Sequence, residues 1–120
     1  MEILSLGAVE QRFAELIWEN APIHSGALVE LCRVRLNWKK STTYTVLRKL
    51  CQRGLFANTD GCVTAQITKE EYMSLQSTRF VEGAFAGSLP AFLAAFTARK
   101  ALTEQEITQI QAMIDQYKEH

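Results

Sequence analysis

A chain of 120 residues, 48% apolar and 22% charged, has room for one small domain, or for a domain with an appendage. Its thirteen Lys/Arg balance its thirteen Asp/Glu, which excludes a chain that is basic or acidic throughout. The three cysteines, Cys32, Cys51 and Cys62, are odd in number and lack Cys-x-x-Cys or Cys/His spacing, which argues against a disulfide framework or a zinc site.

The opening, MEILSLGAVEQRF, has neither the early positive charge nor the small-residue cleavage pattern of a secretory signal. No apolar run approaches the roughly 20 residues needed to span a bilayer. The expectation is a soluble, cytoplasmic protein without membrane insertion. From Leu6 to Asn20, Val9, Phe13, Leu16 and Ile17 recur at helical spacing. Ala21-Pro22 ends this first helix, because a residue before proline disfavours helical dihedrals. Ser25 is the expected N-cap of a second helix with Leu28, Leu31 and Cys32 on one face, ending near Asn37. His24 falls in the turn before that cap and reads as solvated rather than catalytic; His120 is terminal.

The third segment is the informative one. From Arg33 to Arg53 there are seven Lys/Arg and no Asp or Glu. Ser41 is the expected cap of a helix that runs to about Arg53 and stops at Gly54. Thr43, Val46, Leu47 and Leu50 form its apolar face. Thr42, Tyr44, Thr45, Arg48, Lys49 and Gln52 occupy the other side, with Lys39 and Lys40 just before. Such a side attracts phosphates, and Arg48 has the reach and geometry to read a guanine edge. Thr42 and Thr45 offer methyls to thymine, and Tyr44 offers a ring to sugar or base. A solvated helix face is the bland alternative. Trp38 reads as a plug over the junction of the second and third helices, with DNA contact as the other reading.

Next, Asp60-Gly61 lies between two short strand-like runs, the signature of a two-residue hairpin. Three helices followed by a hairpin is the order of a winged helix-turn-helix, whose third helix enters the major groove. Lys69 to about Glu82 then reads as a helix, interrupted at Gly83 and Gly87. Ser88 caps a short helix with Pro90 in its first turn. Thr103 and Glu106 form a capping box for a last helix whose Ile107, Ile110, Ile114 and Tyr117 make a narrow stripe. A small appendage cannot fully bury that stripe, whereas a second copy can. The expected fold is mainly α with a small β-hairpin. It divides into a winged helix-turn-helix over residues 1–70 and a helical dimerisation region over 71–120.

The run from Trp38 to Leu55, WKKSTTYTVLRKLCQRGL, resembles the third-helix signature of the penicillinase repressor family. That signature is a tryptophan, a few polar residues, Thr-x-x-Thr, a Leu-x-x-Leu core and a basic residue before glycine. LGAVEQRFAELIWENAPI, with Glu10 and Trp18, resembles the family's first helix. ITKEEYMSLQSTRFVEGAFAGSLPAFLAAF resembles its linking helix and Gly-Ser step, and LTEQEITQIQAMI its final helix. The resemblance implies a homodimeric repressor of transcription that binds a double-stranded DNA operator and needs no cofactor. Lys39, Lys40, Ser41, Thr42, Tyr44, Thr45, Arg48 and Lys49 would meet DNA, and Phe80, Phe85, Phe92, Phe96, Ile107, Ile110, Ile114 and Tyr117 the second copy. It also implies relief by proteolysis under a membrane sensor protease. The family's cut, between an asparagine and a phenylalanine, aligns with Ala95-Phe96. The second wing strand, usually carrying tyrosine and proline, has Val63 and Ala65 here.

Three other functions compete. A winged helix used for protein contacts needs no basic third helix. A regulator with a small-molecule pocket at a dimer interface would line it with Phe80, Phe85, Phe92 and Phe96. An enzyme would need a nucleophile and base in a supporting pattern, and none is recognisable.

Overall fold

The computed structural model describes residues 6–119. His120 and the first five residues, on which part of the signal-sequence reading rests, lie outside them. The element order is α1 (Ala8–Asn20), β1 (Ile23–His24), α2 (Ser25–Leu36), α3 (Lys40–Gln52), β2 (Phe56–Thr59), β3 (Cys62–Ala65), α4 (Lys69–Phe85), α5 (Leu89–Arg99) and α6 (Glu104–Lys118). The chain forms two compact units that meet in sequence at Gln76 and Ser77. The fold is the expected mainly-α winged helix with a small antiparallel sheet.

In the first unit, α1, α2 and α3 close around one core. Phe13, Ala14, Leu16 and Ile17 of α1 meet Leu28 and Cys32 of α2 and Thr43, Leu47 and Leu50 of α3. Val9, expected on the apolar face, is about half exposed. The hairpin closes the base of this core with Leu55, Phe56 and Val63, and Tyr72 of α4 seals its edge. Trp18 packs on Phe56 and Tyr72, and its indole N–H donates to the Ile67 carbonyl at 3.1 Å.

The sheet has three strands in the order β1-β3-β2, one more than the hairpin expected from sequence. A strand of only two residues leaves no alternation to recognise. The hairpin turn is as expected: Thr59 pairs with Cys62, and Asp60 and Gly61 take φ of 52° and 82°. Two consecutive positive φ values are what a turn matched to the strand twist requires.

Several element starts differ from expectation. Ser25 is not the cap of α2. Its N–H donates to Gly61 O at 2.7 Å, and Ser25 is the first helical residue, while His24 Nδ1 accepts from Gly26 N–H at 3.0 Å. Likewise, α3 begins two residues early, with Lys39 as a cap that makes no side-chain hydrogen bond. Asn37, at φ 56°, ends α2 and turns the chain, and Trp38 then drops onto Phe13 at 5.2 Å between ring centroids. That anchor fixes the start of α3, so Ser41 lies inside the first turn. The first helix starts at Ala8 rather than Leu6, with Glu10 Oε1 accepting the Gly7 N–H. At the far end of α3, Leu55 N–H donates to Leu50 O and Gly54 takes φ 87°, the glycine-dependent stop.

In the second unit, α4 runs through Gly83 and stops only at Phe85. An interior glycine costs about 1 kcal/mol, less than a helix end left without partners. The break falls at Ala86-Gly87, both at positive φ. Ser88 then caps α5, its Oγ accepting from Ala91 N–H, and Thr103 and Glu106 make the expected capping box of α6. Among the described residues no single helix is long and apolar enough to cross a membrane; α4 and α5 reach that length only together, and they are bent by 85°.

Candidate nucleic-acid interface

Helix periodicity divides α3 cleanly. Thr43, Leu47 and Leu50 are buried, while Ser41, Thr42, Thr45, Arg48 and Lys49 are exposed, as are Lys39 and Lys40 before them. Thr45 donates its hydroxyl back to Ser41 O at 2.8 Å, which leaves the methyl as the unbonded arm of an exposed side chain. The exposed side therefore offers cations, a methyl and small hydroxyl groups together.

The seven cations of residues 33–53 are not equivalent. Arg33 is paired with Glu30 on the same turn of α2. Lys49 Nζ lies 3.0 Å from Glu10 Oε2, and Arg53 Nη1 lies 4.0 Å from Glu10 Oε1. Glu10 thus ties α1 to the C-terminal end of α3, and the hydrogen bond from Lys49 holds its carboxyl below the usual carboxylate range. Arg35, Lys39, Lys40 and Arg48 form no ion pair among the described residues. Sequence spacing could not separate Lys49 from Lys40, because the carboxylate that occupies Lys49 sits 39 positions away.

Tyr44 is placed differently from its neighbours. It is half-buried, and its hydroxyl donates to Ser25 Oγ at 3.1 Å. With Leu47, Arg48, Cys51 and Asn58 it lines a concavity of about 230 Å³ between α3 and β2. Asn58, on the same face of β2 as buried Phe56, had no sequence signal of its own; only the register of the hairpin places it beside Arg48.

The second unit carries the other candidate surface. Phe80, Phe85, Phe92 and Phe96 form a chain of ring contacts, each pair 5.6–6.2 Å between centroids. None of these rings is buried. Phe80, Phe96, Ile107, Ile114 and Tyr117 are exposed, and Phe85, Phe92 and Ile110 are half-buried. Leu89 and Met113, outside the stripe read from sequence, are exposed as well. Phe80, Val81, Leu89, Phe92 and Tyr117 help to line an open concavity of about 590 Å³. Among the described residues no three His, Cys, Asp or Glu side chains gather as a metal site.

A helix-turn-helix whose third helix shows a basic outer side, followed by a hairpin that β1 extends to a three-stranded sheet, defines a winged helix-turn-helix regulator. The family model described as "Penicillinase repressor" matches residues 6–116. The penicillinase repressor of Bacillus licheniformis is similar to this chain, 22% identical over 121 residues that cover 98% of this chain and 94% of that protein. The chain belongs to the penicillinase repressor family. Its role is therefore transcriptional repression, and members of the family are regulators rather than enzymes.

Proposed function

We propose that this protein represses transcription by binding a dyad-symmetric double-stranded operator as a homodimer, with α3 of each copy in one major groove. The observation that carries this reading is the outer side of α3, where Lys39, Lys40 and Arg48 stand exposed, without ion pairs among the described residues, beside Ser41, Thr42 and Thr45. Lysines before the helix contact phosphates, and Arg48 reads a base edge. Twofold symmetry then sets the half-sites one helical turn, or a multiple of it, apart. The apolar face of α4, α5 and α6 is the surface for the second copy. Relief follows from proteolysis at Ala95-Phe96 under a membrane sensor protease. Both residues are exposed on α5. Mass spectrometry of the chain from induced cells tests this: an intact chain, or a cut at another bond, counts against it.

The experiment for operator binding is a DNase footprint on the DNA upstream of the protein's own gene, at two salt concentrations, beside a Lys40→Ala/Arg48→Ala double mutant. The expected result is a dyad-symmetric protected site that the double mutant loses. Protection that survives both substitutions would remove α3 as the reader. No protection on that DNA would favour a winged helix used for protein contacts.

A further inference from the structure

The wing is short of the charge that would hold it to DNA. From Gly54 to Thr68 there is no Lys or Arg, and the turn carries Asp60. Any contact it makes with a duplex must come from small polar groups such as Asn58 and Thr59, both exposed on β2. Contacts of that kind depend on position within a few tenths of an ångström, because a hydrogen bond weakens steeply with distance and angle. An isolated two-stranded hairpin is marginal in water, and β1 adds only two residues to this one.

A chain of hydrogen bonds supplies the missing rigidity. Gly61 O, in the turn of the hairpin, accepts from Ser25 N–H at 2.7 Å. Ser25 Oγ accepts from the Tyr44 hydroxyl at 3.1 Å. Ser25 is only 7% exposed, and Tyr44 packs half-buried against the core. The tip of the wing is therefore linked to the middle of α3 through one buried serine.

We propose that Tyr44 is a positioning residue, not a DNA contact: through Ser25 it locks the hairpin turn to α3, so that wing and reading helix meet one duplex in fixed register. This rests on the operator-binding reading above. Ser25 makes the proposal testable, because a buried serine cannot itself touch DNA.

The test uses the full chain with Tyr44→Phe, Ser25→Ala and both together. It reads affinity for the upstream DNA, hydroxyl-radical protection, and amide exchange of Ser25 without DNA. Each single change is expected to weaken binding by the dimer roughly 10- to 100-fold, the loss of about one hydrogen bond in each copy. The double mutant should be no weaker than the poorer single. Protection should fade at the positions under the wing and persist at those under α3. In the DNA-free protein, Tyr44→Phe should raise exchange at the Ser25 amide several-fold. Tyr44→Phe weakening binding while Ser25→Ala is silent would make Tyr44 a direct contact and overturn the proposal, as would additive losses. If the unaltered protein leaves this DNA unbound, operator binding fails there, and amide exchange still decides the lock: faster exchange in Tyr44→Phe supports it and unchanged exchange refutes it.

Discussion

Lys40 and Lys49 look interchangeable in the sequence, but their surroundings predict different behaviour on DNA. Lys40 has no ion pair among the described residues, whereas Lys49 Nζ lies 3.0 Å from Glu10 Oε2. A cation that neutralises a phosphate contributes about 0.9 to the slope of log affinity against log salt. In the proposed dimer each substitution removes two cations, so Lys40→Ala should flatten the slope by about 1.8. Between 50 and 200 mM salt, that makes the mutant's loss of affinity about 12-fold smaller than the unaltered protein's. Lys49→Ala removes a charge already spent on Glu10, and its slope should move by less than half as much. Fluorescence anisotropy of a labelled operator duplex at several salt concentrations measures both. Equal slope changes for the two lysines would mean that the Glu10 pair does not survive in the complex. The division of cations into paired and available would then be wrong.

Arg48→Ala should cost roughly 1–3 kcal/mol on the preferred operator and relax preference at one base position; an equal loss on every sequence would make Arg48 a phosphate contact. Glu10→Gln should lower stability by about 0.5–1 kcal/mol at neutral pH, a modest figure because Lys49 is half exposed. Since the Glu10 carboxyl is held below its ordinary range, that stability is complete above the unfolded-state pKa. It is lost as pH falls through the lowered folded-state value, so denaturant curves of the two proteins should converge in acid. Among the thiols, Cys62 is exposed, while burial pushes Cys32 and Cys51 up. A thiol reagent should therefore label Cys62 rapidly in the native protein and all three only in denaturant; rapid labelling of Cys32 would contradict its place in the core. Ile114→Asp, on the exposed face of α6, should give monomers in sedimentation and weaken operator binding, and an unchanged dimer would remove α6 from the interface.

The fold was legible where periodicity and turn chemistry agreed. The three core helices, the Asp60-Gly61 turn and the capping box at Thr103 and Glu106 were all written locally. What escaped was set by partners remote in sequence. Ser25 looks like a cap, but Gly61 claims its N–H from 36 positions away. The start of α3 is decided by where Trp38 meets Phe13, so Ser41 lost the cap it seemed to offer. The candidate site was legible as a helix face and not as a set of roles. Periodicity assigned Tyr44, Lys49 and Arg48 to one side, and only tertiary contacts separate a hydroxyl held by Ser25 and an ammonium held by Glu10 from an arginine with no ion pair among the described residues.

The second unit accounts for how the proposed relief of repression would work. No described residue from 77 to 119 is buried, whereas the first unit holds the whole core. Seven large apolar side chains of the second unit are exposed: Phe80, Leu89, Phe96, Ile107, Met113, Ile114 and Tyr117. Covering half of each gains about 1 kcal/mol, or on the order of 14 kcal/mol gross for two copies. Association costs about 4–15 kcal/mol in lost freedom, so the surplus that holds the proposed dimer is about 10 kcal/mol at most. Dimerisation and operator binding are then mutually dependent, since each supplies part of the free energy for the other. The proposed cut at Ala95-Phe96 would leave Phe80 and Leu89 with the DNA-binding piece and put the other five on the fragment. The gross gain would fall to about 4 kcal/mol, no more than the lowest cost of association. The core of the first unit would be untouched, so a single cut would release the operator without unfolding the winged helix that reads it.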